Sequence, residues 1–286
     1  MSLLDRVTEN TTHDLTCFLP FLVEGGQAGW VQRSLAAELG DFVDDSGRPV
    51  FQHGDDRIAL APQLDGFERR SQAMAGVVRE LITRGRVPSL AAELYPVAPS
   101  FGAAPWFQLE RAAMPAFGTR AYGVHMHGYL RRDDGLHMWI ARRSRGKTTY
   151  PGKLDNLVAG GQPMGLSPRE NLTKECAEEA DIPADLAQQA HPVGAVTYKF
   201  DSPQGLRNDT LFLYDLELPD DFVPRNTDGE VESFELWPIE DVVLRVAETR
   251  DFKFNCNLTL IDFFIRHGVL DPEHPEYLAL VTGLRS

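Results

Sequence analysis

Cysteine is scarce. The 286 residues hold three, Cys17, Cys176 and Cys256, odd in number and far apart. That argues against a disulfide framework or a zinc site and fits a reducing compartment. Long apolar runs are missing, and none approaches the roughly 18 residues that a membrane-spanning helix needs, so no membrane partner is expected. The opening stretch, MSLLDRVTENTTHD, is polar and acidic rather than a signal peptide, and a cytoplasmic protein is the expectation. Positive charge is also short, with 28 Lys and Arg against 42 Asp and Glu, a formal net charge of -14. Such a surface repels a phosphate backbone, so no nucleic-acid partner is expected. An anionic small molecule would need metal ions or a local basic pocket. Internal repeats and low-complexity tracts are absent.

What is present is an ordinary globular composition, 43% apolar and 24% charged, long enough for one large domain or two modest ones. Residues 1–115 read as a small α+β domain. Gly29–Leu39 has helical spacing, Asp41–Leu60 alternates short extended pieces with turns, and Glu68–Gly85 is an amphipathic helix closed by Gly85. The loop-like stretch VAPSFGAAP, Val97–Pro105, marks the approach to a boundary. In residues 116–286, Tyr122–Leu130 and Leu136–Arg142 read as a hairpin over Arg132–Gly135. Val193–Phe200, Thr210–Leu218 and Glu232–Trp237 are further strands, and Asn257–His267 is a closing helix. Strands with few helices predict an α+β fold, helices packed on a mixed sheet.

The chemistry is concentrated in GGQPMGLSPRENLTKECAEEADI, Gly160–Ile182. Ser167 is a good N-cap, Pro168 suits the first helical position, and Glu170 completes a capping box. A helix should run from here to about Ala180, with Leu172, Cys176 and Ala180 facing the core. Glu175, Glu178 and Glu179 then stand at i, i+3 and i+4 and converge on one patch. Three carboxylates that close repel one another unless cations neutralise them, and hard oxygen ligands suit Mg²⁺ or Mn²⁺. An acidic helix face by itself is commonly just solvated. Gly160, Gly161 and Gly165 in front of this one make a flexible turn that lets backbone approach a ligand, and the combination shifts the balance toward a site.

The stretch resembles the Nudix box, G-x5-E-x7-R-E-U-x-E-E-x-G-U, where U is aliphatic. Gly160 matches the leading Gly, Glu175 the Glu of the R-E pair, Glu178 and Glu179 the E-E pair, and Ile182 the last aliphatic. Leu166 stands where the first Glu belongs, Lys174 replaces Arg, Cys176 the inner aliphatic and Asp181 the late Gly. The first Glu and the Arg form a supporting ion pair in that family. Their joint replacement predicts that Leu166 lies partly buried against the helix. The resemblance implies a Nudix α/β/α sandwich with a mixed sheet, catalytic and metal-binding roles for Glu175, Glu178 and Glu179, and Mg²⁺ or Mn²⁺ as cofactor. It also implies hydrolysis of a small-molecule diphosphate. The stretches from Phe117 onward are similar to a Nudix subgroup with an N-terminal region of unknown function. Its eukaryotic members are associated with thiamin diphosphate analogues.

Other residues carry weaker expectations. Lys147 and Lys153, in the approach KTTYPGKLDN, suit substrate phosphates as point charges, with Gly160 and Gly161 supplying backbone contacts. Arg142, Arg143 and Arg145 add positive charge before that loop. His125 and His127 share a strand face and are not assigned as ligands. Glu230 and Glu232 are candidates for an extra ligand or base, and Trp106, Phe107 and Trp139 for stacking on a flat ring. The N-terminal region either caps the site or forms a homodimer interface. The rival reading is a non-catalytic Nudix-fold metabolite sensor, separable from the enzyme by turnover on a panel of diphosphates.

Overall fold

The computed structural model describes residues 2–285. Helix α1 (Leu3–Glu9) starts at a capping box between Ser2 and Asp5. Strands β1 (Phe18–Val23) and β2 (Gly26–Gln32) form a hairpin that leads into α2 (Arg33–Leu39). Short strands β3 (Phe51–His53) and β4 (Ile58–Leu60) complete a four-stranded sheet of order β2-β1-β4-β3. Helix α3 (Phe67–Thr83) buries Met74, Val77, Val78 and Leu81 in the same core as Phe21, Ile58 and Phe117. A two-stranded ribbon follows, β5 (Leu94–Val97) antiparallel to β6 (Phe107–Glu110), and then the short helix α4 (Met114–Phe117).

The predicted helix over Gly29–Leu39 is half wrong. Gly29–Gln32 belong to β2, with Trp30 paired to Pro20 and Val31 to Leu19. A Cβ at Gly29 would sit 2.3 Å from the Phe117 carbonyl oxygen. This backbone-to-backbone approach, and not the apolar spacing, decides the local structure.

The second sheet is built on β7 (Ala121–Arg132) and β8 (Gly135–Arg143), the expected hairpin. The short strands β9 (Leu154–Asp155) and β10 (Val158–Gly161) pair with β8 and β7 respectively. Next come α5 (Pro168–Ala180), α6 (Ala184–Ala187), the long hairpin β11 (His191–Ser202) and β12 (Gly205–Glu217), and β13 (Val231–Pro238). The main path is β11-β12-β7-β8-β13, and β12 lies parallel to β7 while the other pairs are antiparallel. The sheet is therefore mixed, as expected.

Alternation along β7 sorts the two faces. Val124 and Met126 pack with Leu172, Cys176 and Ala180 of α5 on one side. Tyr129 packs on the other, with the three helices α7 (Ile239–Glu248), α8 (Phe254–Arg266) and α9 (Tyr277–Gly283). His125 and His127 share that second face, and His127 lies 5.2 Å from the Phe263 ring. Leu3 and Val7 of α1 join this layer rather than the core formed by the rest of the first hundred residues. Helices on both faces of a mixed sheet make the expected α/β/α sandwich.

Candidate active site

Helix α5 begins where its cap dictates. Glu170 N donates to Ser167 Oγ at 3.2 Å and Ser167 N to Glu170 Oε2 at 2.8 Å, so both halves of the capping box are made. Leu172, Cys176 and Ala180 are wholly buried. The helix ends at Asp181, a left-handed residue with φ 55° and ψ 34°, where the Nudix box has its late Gly. A Cβ is disfavoured there. Asp181→Gly is expected to stabilise the protein by about 0.5 kcal/mol, the ~1 kcal/mol of left-handed strain less the freedom glycine adds to the unfolded chain. The readout is a Tm rise of about 1–2 °C for a chain of this size; a fall would mean the Asp181 side chain makes a contribution of its own.

The leading glycines have a different use from the one expected. Gly160 and Gly161 are not a flexible turn but the end of β10, paired with Val124 and Gly123. A Cβ on Gly160 would lie 2.4 Å from Glu175 Cδ, so the missing side chain is the space that the Glu175 carboxylate occupies. A Cβ on Gly161 would lie 1.5 Å from the Tyr95 hydroxyl oxygen, and its carbonyl accepts from Asn171 Nδ2 at 2.8 Å. Of the three, only Gly165 turns the chain, at φ 92°.

Glu179 is buried, and its Oε2 accepts from Ala159 N at 2.8 Å. Burial, together with the charges of Asp155, Glu175 and Glu230, pushes its pKa well above the usual carboxylate range against that one hydrogen bond. The Glu175 side chain is 16% exposed, and its pKa is also raised, chiefly by burial, with Glu178 and Glu93 adding to it and Lys174 opposing. Glu178 is 46% exposed and takes a hydrogen bond from Lys174 Nζ at 2.6 Å; the same ammonium is 3.4 Å from Glu175. Two carboxylates forced toward protonation beside a third, countered by one lysine, are an all-oxygen donor set short of positive charge. That fits a hard divalent cation.

Leu166 departs from expectation. It is 37% exposed rather than packed against the helix, and Gln162 Nε2 donates to its carbonyl at 2.5 Å. Lys174 has turned to the glutamates instead. The bracing ion pair is replaced by backbone contacts of the loop, not by an apolar contact.

Among the described residues, the one group of three metal-ligand side chains with atoms within 4.8 Å of one another is not the glutamates but His125, Asp155 and Cys256, all buried. Its single negative charge is already more than balanced. Asp155 meets Arg143 Nη1 at 2.8 Å and Lys253 Nζ at 3.5 Å, and Cys256 Sγ donates to it at 2.7 Å. Burial alone would raise the Asp155 pKa; Lys253, His125 and Arg143 outweigh it and hold it below the usual range. Burial, helped by Lys253, lowers the His125 pKa to about 3, so His125 is neutral and joins Asn156 Nδ2 at 2.8 Å. A cation here would have to displace two others, so we assign no metal to this network.

The remaining candidates are scattered. Lys147 pairs with Glu230, and Lys153 Nζ donates to the Arg250 carbonyl at 2.5 Å. The Glu230 charge reaches Glu179, while Glu232 meets Arg145 at 3.5 Å. Arg142 is 3.8 Å from Glu235. Phe107 is core, Trp106 covers Gly26, and Trp139 packs on the α5 face. Sequence reasoning missed Glu93, Tyr95 and Arg111, which the β5–β6 ribbon brings against the glycines, and Lys253, which α8 brings to Asp155. No local pattern marks them.

Comparison with known proteins agrees with this geometry. Residues 121–258 match the profile described as NUDIX domain, and residues 1–121 match one described as Domain of unknown function (DUF4743). "Nudix hydrolase 24, chloroplastic" of Arabidopsis thaliana is 46% identical over 269 residues, which cover 94% of this chain and 73% of the relative. "Nudix hydrolase 20, chloroplastic" of the same plant is 46% identical over 278 residues with the same coverage. "Uncharacterized protein YJR142W" of Saccharomyces cerevisiae is 29% identical over 279 residues, covering 91% of this chain and 81% of that one. With the acidic helix α5, the mixed sheet beneath it and relatives at this level of identity, the chain belongs to the Nudix hydrolase family.

Proposed function

We propose that this chain hydrolyses a diphosphate linkage in a small molecule, using Mg²⁺ or Mn²⁺ held by Glu175, Glu178 and Glu179. One observation carries the reading: the carboxylates of the buried Glu179 and the half-buried Glu175 feel each other's charge and are pushed toward protonation, and among the described residues Lys174 is the ammonium that pairs with this helix face. Such a cluster is costly to keep without a cation.

Glu175, Glu178 and Glu179 would hold the divalent ion, which would supply positive charge for the phosphate oxygens and for the activation of water. The chain does the rest. Glu179 is held by the Ala159 amide and Glu175 by its seat on Gly160, so both carboxylates are oriented before substrate arrives. The oxygen of water attacks one phosphorus, the bond from that phosphorus to the bridging oxygen breaks, and the leaving phosphate keeps the electron pair. The proton released passes to a glutamate. Glu230 is the candidate, because its charge reaches Glu179. Lys147 meets the substrate phosphates after leaving Glu230, and Lys153 does so only if it releases the Arg250 carbonyl. The same proposal takes residues 116–286 as the hydrolase domain and 1–115 as an α+β domain that caps the site or supports a homodimer. It also takes the working compartment as cytoplasmic, although the two plant relatives are named chloroplastic. No helix of the described residues is long and apolar enough to cross a membrane.

For substrate we take thiamin diphosphate or a thiamin analogue, on the subgroup resemblance. The glutamates recognise the diphosphate and not its substituents, so nucleoside diphosphate derivatives compete for the assignment. The test is kcat/KM at one magnesium concentration for thiamin diphosphate, its oxo analogue, ADP-ribose, NADH and a nucleoside triphosphate. A thiamin compound is expected to lead. A lead of more than about tenfold by ADP-ribose or NADH, worth about 1.4 kcal/mol in transition-state binding, overturns the thiamin assignment. Binding without turnover across the panel selects the sensor reading.

A further inference from the structure

The β5–β6 ribbon belongs to the region before the Nudix domain, yet it is built into the wall of the candidate site. Met164 N donates to the Leu94 carbonyl at 3.2 Å, and the buried Tyr95 ring carries its hydroxyl onto Gly161. Glu93 and Arg111 flank this contact. Arg111 N donates to the Glu93 carbonyl at 2.9 Å, and Arg111 Nη1 lies 3.1 Å from both Glu93 carboxylate oxygens. The Glu93 charge acts on Glu175, and those of Glu230 and Asp209 act on or feel Arg111. The guanidinium therefore stands within the field of the acidic centre.

Four cations near that centre are committed to carboxylates. Lys174 is bound to Glu178 and Glu175, Lys147 to Glu230, and Arg143 and Lys253 to Asp155. Arg111 is committed through Nη1 alone. Among the described residues its Nε and Nη2 make no hydrogen bond, and the side chain is 46% exposed. As structure it does little, because an ion pair this exposed contributes little to stability. As a ligand it is well prepared: one edge is clamped by Glu93 and the other is open, the arrangement in which a guanidinium takes phosphate oxygens. In a chain of net charge -14, an open guanidinium beside a carboxylate cluster is the local attraction that an anionic substrate requires.

We propose that Arg111 is a substrate-binding residue whose open guanidinium edge takes a phosphate oxygen of the diphosphate, and that Glu93 is its positioning residue. The proposal rests on the reading of Glu175, Glu178 and Glu179 as the metal centre. It makes the region before the Nudix domain part of the active site.

The test uses the full chain. Arg111→Ala is expected to raise KM about 10–100-fold, the scale of a lost charge-assisted hydrogen bond, with kcat changed much less and Tm within about 2 °C of the parent. Calorimetric affinity for inorganic pyrophosphate in the presence of Mn²⁺ should fall by a similar factor. Arg111→Lys should recover part of both losses, whereas a merely structural role would show itself in Tm and not in pyrophosphate affinity. Arg48→Ala, which breaks a pair with Asp44 in the first sheet region, should leave KM and pyrophosphate affinity unchanged. Unchanged pyrophosphate affinity in Arg111→Ala overturns the proposal. If the parent protein binds pyrophosphate through Arg111 but turns over no diphosphate, the hydrolase reading fails and the binding role stands.

Discussion

Replacing Glu178 or Glu179 with Gln is expected to lower kcat by about 10²–10³-fold, the scale of losing one preorganised electrostatic element. Excess EDTA should abolish activity, and Mg²⁺ or Mn²⁺ should restore it. Full activity in chelator would sink the mechanism. The same variants carry a second readout that separates a ligand from a structural acid. The Glu179 pKa is raised by burial and by the neighbouring carboxylates, so folding takes up a proton there. For a carboxyl whose folded pKa is raised, stability is full below the unfolded pKa of about 4.3 and is lost as pH rises toward the folded value. The metal-free protein should therefore lose stability as pH rises from about 4 toward neutrality. Glu179→Gln should flatten that slope and raise the metal-free Tm at neutral pH. Metal should reverse the order: the parent gains about 2.7 kcal/mol at a concentration 100-fold above Kd, and Glu179→Gln gains much less. A variant less stable than the parent without metal and equally stabilised by Mg²⁺ would mean that Glu179 is structural.

Asp215→Asn is expected to be the most damaging single change to stability, costing about 3–5 kcal/mol, the range for removing one partner of a buried charge network. Asp215 joins β12 to β7 and α8. It accepts from His127 Nδ1 at 3.0 Å and His267 Nε2 at 2.7 Å, and it pairs with Arg266, which also holds Asp262. Burial would raise its pKa; the hydrogen bonds from His127 and His267, the charge of His127 and the bond from Arg266 outweigh it and hold it far below the usual range. A depressed carboxyl stabilises above its unfolded pKa, about 3.9, and that stability is lost as pH falls. The gap in Tm between parent and variant should narrow as pH falls below about 4. A gap that widens in acid would show that Asp215 is not the ionised centre of the network.

The acidic helix was legible because everything it needs is local. Ser167, Pro168 and Glu170 start it, a four-residue spacing buries Leu172, Cys176 and Ala180, and that burial turns Glu175 and Glu179 onto the neighbouring strand. The hairpin β7–β8 was legible for the same reason, a period of two broken by a turn at Arg132–Gly135. Helical spacing misled over Gly29–Gln32, where contact with Phe117 and Gly118 overrode it. The loss of the box's first Glu suggested a Leu166 partly buried against the helix, but whether that side chain finds a neighbour depends on how the loop is held, and Gln162 holds it by its backbone.

The sequence by itself therefore determined the family, the mixed-sheet sandwich and the helix that carries the glutamates, since caps, periodicity and motif spacing act within a few residues of one another. Only the tertiary structure decided what faces those glutamates. The glycines of β10 are vacant at Cβ because Glu175 and the Tyr95 hydroxyl lie there, and Tyr95 comes from a ribbon far earlier in the chain. Cys256 reaches Asp155 across 101 residues, and Arg111 enters the field of Glu230 across a comparable distance. Charge and close packing act through space, and a chain read in order carries no record of which distant side chains its folding will bring together.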